Sequence, residues 1–213
     1  MNRRHWIFGA LVVLVVSLLS AGPLPAREAQ EEAETPPAEA EMPSQAEMEE
    51  MAKRFEQFST PGEAHKRLEH FVGTWKTATR VWMAGPEAEP MVTEGRAEVE
   101  WILDGHFLME KLSGEMMEMP FHGIGIVGYD NFKKKYQYLW VDSTSTAMFT
   151  SQGDYDESTR TFTYHGLMDE PMTGEHDKKV KYVLRIVDEN THVFVIHDPA
   201  IDAMVVEITY TRE

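Results

Sequence analysis

From Gly73 onward, apolar and polar side chains alternate with a period of two. That alternation constrains the fold more than any other feature, because period two belongs to strands with one buried and one wet face. Ten such runs are predicted, at 74–83, 91–103, 106–116, 121–129, 135–142, 146–153, 160–167, 178–188, 191–197 and 203–212. Turn residues separate them: Asp130-Asn131, Asp154 to Thr159, Pro171 to Gly174, and Asp188-Glu189-Asn190. No stretch between runs is long or helical enough for a parallel crossover, so neighbours should pair antiparallel. Strands with one apolar face and no covering helices lose their edges most simply by closing. The expected fold is all-β, an antiparallel barrel whose interior is either filled by side chains or open to one small ligand.

Alternation also assigns faces. Val99, Trp101 and Leu103 oppose Glu98 and Glu100. Val180, Tyr182, Leu184 and Ile186 oppose Lys179, Lys181 and Arg185. Met204, Val206, Ile208 and Tyr210 oppose Glu207, Thr209 and Thr211.

The chain before the barrel divides into three parts. Residues 1–26 read as a signal peptide: Arg3 and Arg4, then an uncharged apolar run from Trp6 to Ala21, then Pro23, Pro25 and the small Ala26. The run is shorter than the roughly 20 residues that span a bilayer, so export with cleavage is expected rather than a stable membrane anchor. Residues 27–50 hold nine Glu against one Arg and no aromatic residue. Such a segment cannot bury enough apolar area to offset ordering, and reads as a disordered acidic linker. Residues 51–72 read as a short helical lead-in. Met48, Met51, Ala52, Phe55 and Phe58 fall at helical spacing, and a second segment starts at Thr60-Pro61 with Leu68, Phe71 and Val72 on one face. The barrel then occupies 73–213.

Composition removes several functions. There is no cysteine, hence no disulfide, thiolate metal site or cysteine nucleophile. A net charge of −16 excludes a nucleic-acid binder that works through phosphates. No protein partner is legible.

Two sets of residues carry a resemblance. Phe71-Val72-Gly73-Thr74-Trp75 puts Gly-x-Trp at the head of the first strand after a short helix, as lipocalin-like barrels do. In that superfamily an Arg near the end of the last strand packs across the Trp, and Arg212 stands where it would do so here. Trp101 to Leu108, Met119 to Gly123, Gly128 to Asn131, Trp140 to Ser143 and Glu207 to Arg212 resemble the domain of unknown function 1579 family. The resemblance covers residues 61–213. It implies a lipocalin-like bacterial β-barrel, with Gly73, Trp75 and Arg212 in structural roles. It implies no catalytic residue and no cofactor.

The residues themselves offer few chemical motifs. No two of the nine His have the spacing that aims two imidazoles at one ion, so no metal site is expected. Haem needs one inward His in related barrels, and His197 shares parity with Val193 and Val195; the bland reading is a rim residue. Gly123-Ile124-Gly125-Ile126-Val127-Gly128 opens no helix, so its glycines serve bending or close contact within a strand. Two carboxylates share parity with apolar side chains: Glu110 with Leu108 and Leu112, and Asp142 with Tyr136, Tyr138 and Trp140. A carboxylate on an apolar face must pair, hydrogen-bond or take up a proton. For Asp142, the following Ser143-Thr144-Ser145 also fits a turn-capping role.

Cavity candidates are therefore Trp101, Glu110, Tyr138, Trp140, Asp142, Tyr182 and His197. Three functions remain open. The first is an exported binding module for a small apolar or amphipathic molecule. The second is a filled barrel that scaffolds or binds a protein. The third is an enzyme using an interior carboxylate and His, which requires Glu110, Asp142 or His197 within hydrogen-bond reach of one another.

Overall fold

The computed structural model describes residues 42–213 apart from Met172. The expected signal peptide and all but the end of the expected linker lie outside the described residues. Helix α1 spans Gln45–Ser59 and starts inside the stretch read as linker. Ser44 explains the early start. Glu47 accepts from the Ser44 backbone N–H at 2.8 Å, and Ser44 Oγ accepts from the Glu47 N–H at 3.4 Å, a reciprocal capping box. No residue of α1 is buried. Helix α2, Glu63–Lys66, runs directly into a 3-10 helix, Arg67–Phe71.

Ten strands follow: β1 Gly73–Val81, β2 Met91–Ile102, β3 Phe107–Met116, β4 Met119–Asp130, β5 Lys135–Asp142, β6 Phe149–Asp156, β7 Thr161–Glu170, β8 Glu175–Asp188, β9 Thr191–Asp198 and β10 Ala203–Arg212. Each pairs antiparallel with the next. Trp75 opposite Arg212 and Val81 opposite Val206 then join β1 to β10 and close the barrel.

Three strands depart most from the sequence expectation. β6 starts at Phe149, not 146, because side chains hold the preceding turn: Thr144 N–H donates to Asp142 Oδ1 at 2.9 Å, and Ala147 N–H to Ser145 Oγ at 2.9 Å. The β7–β8 hairpin is longer than expected. Asp169 Oδ1 accepts from the Asp177 N–H at 3.1 Å, which draws the loop's flanks into the ladder.

One end of the barrel is sealed by the lead-in. Leu68 is fully buried and Phe71 is 5% exposed. Burying two such side chains contributes about 1.5–3 kcal/mol each. The Trp75 indole N–H donates to the Phe71 carbonyl at 2.8 Å, and the Tyr136 hydroxyl to the Ala64 carbonyl at 2.9 Å. Arg212 completes the seal. Its guanidinium lies 4.0 Å from the Trp75 ring centre and donates to the Val72 and His70 carbonyls at 2.9 and 2.8 Å. Gly73 sits at φ +133°, and a Cβ there would come within 2.6 Å of Arg212 Nη1. Glycine is thus required both by its backbone angle and by the arginine beside it.

Candidate functional site: the barrel cavity

The inward side chains of the strands do not fill the barrel. Above the seal lies a cavity of about 690 Å³, reaching the opposite end at Met83, Glu115, Met116, Thr144, Thr173 and Asp198. Its size lies within the range of small-molecule sites.

Five of the expected cavity residues line it: Glu110, Tyr138, Trp140, Asp142 and Tyr182. Two do not. Trp101 keeps the inward parity of Val99, but at the sealed end of β2, where its indole donates to Glu69 at 2.6 Å beneath the 3-10 helix. His197 lies on the outer wall. It borders a shallow groove with His165, Lys179, Lys181 and Asp202, and its Nε2 is 3.5 Å from Asp202 Oδ1. The cause is that β9 is apolar on both faces. Phe194 and Ile196 point inward, and Val193 and Val195 share the outer face with His197.

The inward His of β9 is His192, on the cavity floor. Its ring stacks on Tyr210 at 4.3 Å and meets Trp75 edge-on at 4.4 Å. Burial first, then the nearby His70 and Arg212, push its pKa down to about 3, so it is neutral. Only 3% of the residue is uncovered. Neither histidine is placed to hold a haem iron in the cavity, because His197 lies outside and His192 is covered.

Aromatic rings form the walls. Trp140 lies near-parallel to Phe121 on one side and to Tyr138 on the other, with interplanar angles of 21° and 25°. Tyr182 and Phe194 stack at 19°, and Tyr138 contacts both with centroids 6.1 Å apart. The β4 glycines make this wall possible. A Cβ at Gly123 would overlap the Trp140 ring, and one at Gly125 would press on Glu110, Tyr138 and Trp140. The Gly-x-Gly-x-x-Gly run is therefore a bed for side chains of β3 and β5.

Glu110 stands among these rings. The Tyr210 hydroxyl donates to its Oε1 at 2.9 Å. Burial pushes its carboxyl up to about 7, with the Tyr210 hydrogen bond acting in the opposite direction. Asp142, nearer the mouth, is fully engaged. Its Oδ2 accepts from the Trp140 indole at 2.9 Å, and its Oδ1 holds Thr144. Asp142 thus orients Trp140 and caps the turn. Glu110 bonds to Tyr210, Asp142 to Trp140 and Thr144, and His197 lies outside, so the three are not brought together as a catalytic group.

Tyr210 and His192 were not singled out in the sequence as cavity residues. Tyr210 carried the inward parity of β10, but its meeting with Glu110 depends on how far β3 and β10 curve toward each other.

The family described as "Protein of unknown function (DUF1579)" matches residues 60–212. The chain belongs to that family. The match takes in every strand of the DUF1579 barrel and the α2 and 3-10 plug. Among the curated proteins nothing matches. Solved structures with partial likeness include the S-type phycobiliprotein lyase of Guillardia theta, at 10% identity and TM-score 0.46, covering 75% of this chain and 96% of that one. A de novo designed fluorescence-activating β-barrel is similar at 11% identity and TM-score 0.39, covering 68% and 95%. A redesigned barrel bound to DFHBI is similar at 10% identity and TM-score 0.38, covering 67% and 99%. No helix among the described residues of this DUF1579 protein is long and apolar enough to cross a membrane.

Proposed function

We propose that this protein is an exported binding module that takes one small apolar or amphipathic molecule into its barrel. One observation carries the reading: a cavity of about 690 Å³, walled by Phe121, Tyr138, Trp140, Tyr182 and Phe194, opens at one end and is sealed at the other. A barrel built only to scaffold would gain stability by filling that space, because empty apolar volume costs packing energy. Apolar walls with a few placed polar groups are the usual make-up of a small-molecule site. Export is supported by Arg3, Arg4 and the apolar run from Trp6 to Ala21.

The test is native mass spectrometry, with an absorption spectrum, of the protein taken from its own envelope fraction. A mass above that of the polypeptide, lost on denaturation, is the expected result. Bare polypeptide that also fails to take up any apolar fluorophore would overturn the reading and return the barrel to an interaction role. The same mass reports whether the chain has been cut after Ala26.

A further inference from the structure

Resting on the binding role proposed above, we infer that the cavity selects an amphiphilic organic cation: an apolar or aromatic body bearing one amine that pairs with Glu110.

The argument starts from what Glu110 lacks. Oε1 accepts from Tyr210, but Oε2 has no hydrogen bond among the described residues. It lies beside Gly125, Tyr138 and Trp140, so the space next to it was left open by a glycine. The titratable groups around it come from five strands: Tyr138 on β5, Tyr164 on β7, Tyr182 on β8, His192 on β9 and Tyr210 on β10, with Asp142 further toward the mouth. None supplies a positive charge. The phenols are pushed up by burial and stay protonated, and His192 is neutral. Lys178 at the mouth is already paired with Asp198 at 2.8 Å. A carboxyl enclosed without a counter-charge either holds a proton or waits for a cation.

Two further observations point to the cation. The ring faces of Trp140, Tyr138 and Phe121 carry negative potential and attract an ammonium that has left water. The chain carries a net charge of −16, and the residues lining the cavity and its mouth include six carboxylates against two lysines, Lys178 and Lys179, so the field draws cations in and repels anions.

Three probes of one shape test this: 1-naphthylmethylamine, 1-naphthylmethanol and 1-naphthylacetate, titrated calorimetrically into the protein at about pH 8. The amine should bind at least about tenfold more tightly than the alcohol, and the acetate least well. E110Q should abolish the amine's advantage and leave the alcohol within about threefold of wild type. Near pH 6.5, the amine should release protons on binding, read from the buffer dependence of the heat, whereas the alcohol should release none. Amine and alcohol binding alike in the wild type, or an amine that releases no proton, overturns the cation selection and leaves the apolar binding role standing. Failure of all three to bind at millimolar concentration overturns that role too. The proton release needs only the wild type, so it decides the matter even where E110Q does not fold.

Discussion

Tyr210 donates its phenolic hydrogen to Glu110 at 2.9 Å, joining β10 to β3 inside the barrel across the width of β1 and β2. It is the only hydrogen bond the Glu110 side chain accepts among the described residues. Tyr210→Phe removes it with almost no change of volume. The unfolding free energy should fall by about 1–3 kcal/mol, read from urea denaturation at neutral pH. Glu110 should then hold its proton to a still higher pH. A Phe variant as stable as wild type would mean that the bond contributes nothing to the barrel.

Glu110 also makes a directional prediction about pH. Its folded pKa of about 7 lies above the ordinary 4.5, so the folded state takes up the proton more readily than the unfolded chain. Below about 4.5 both states are protonated and the group is neutral in effect. As pH rises from 4.5 to 7, stability is lost, by on the order of 3 kcal/mol in full. His192 works the other way. Its depressed pKa means that stability is lost as pH falls from 6.5 toward 3. The two windows overlap, so the wild-type curve alone mixes them. Subtracting it from the E110Q curve isolates Glu110: the variant should gain on wild type steadily between pH 4.5 and 7, then stay level. A flat difference would refute the burial of this carboxyl.

Gly123 is the third point of attack. The Cβ of Gly123→Ala would occupy the place of the Trp140 ring. The indole must swing off the wall, breaking its bond to Asp142. Stability should drop by about 1–3 kcal/mol, the usual range for overpacking. The Trp140 contribution to fluorescence, isolated by comparison with Trp140→Phe, should move. An unchanged spectrum would show that the ring is not held against β4.

At the sealed end, Arg212→Ala should cost more than any of these. It removes a cation from the Trp75 face and leaves the Val72 and His70 carbonyls short of a donor. A loss of about 2–4 kcal/mol is expected in denaturant. Arg212→Lys should recover only part of it, because a single ammonium cannot serve both carbonyls and the ring in the same geometry. Full recovery by lysine would reduce the residue's role to its charge.

Much of the architecture was legible in the sequence for a physical reason. Most strands have one clearly wet face, as with Lys179, Lys181 and Arg185 on β8, and the turns are marked by residues that favour reversal. β9 was the exception. Thr191, Val193 and Val195 alternate with His192, Phe194 and Ile196, so both faces are apolar and neither names itself as the inside. That ambiguity placed His197 in the cavity and left His192 out. Register with β8 resolves it, since Ile196 stands opposite Tyr182 and Phe194 opposite Leu184, and inward residues pair with inward residues. Trp101 shows a different limit. Parity gives a side chain its face but not its height along the barrel, and at its height the floor, not the cavity, receives it. The Tyr210–Glu110 bond was beyond reach because it depends on closure and curvature, which no local pattern encodes.

The antiparallel order sends alternate turns to opposite ends of the barrel. The β1–β2, β3–β4, β5–β6, β7–β8 and β9–β10 turns surround the mouth, whereas the plug and Arg212 hold the other end. Residues that secure folding and residues that rim the cavity are thus drawn from different turns. A lineage carrying this barrel can vary its mouth, one hairpin at a time, without disturbing the seal, so that change at the rim of the cavity need not pass through a loss of fold.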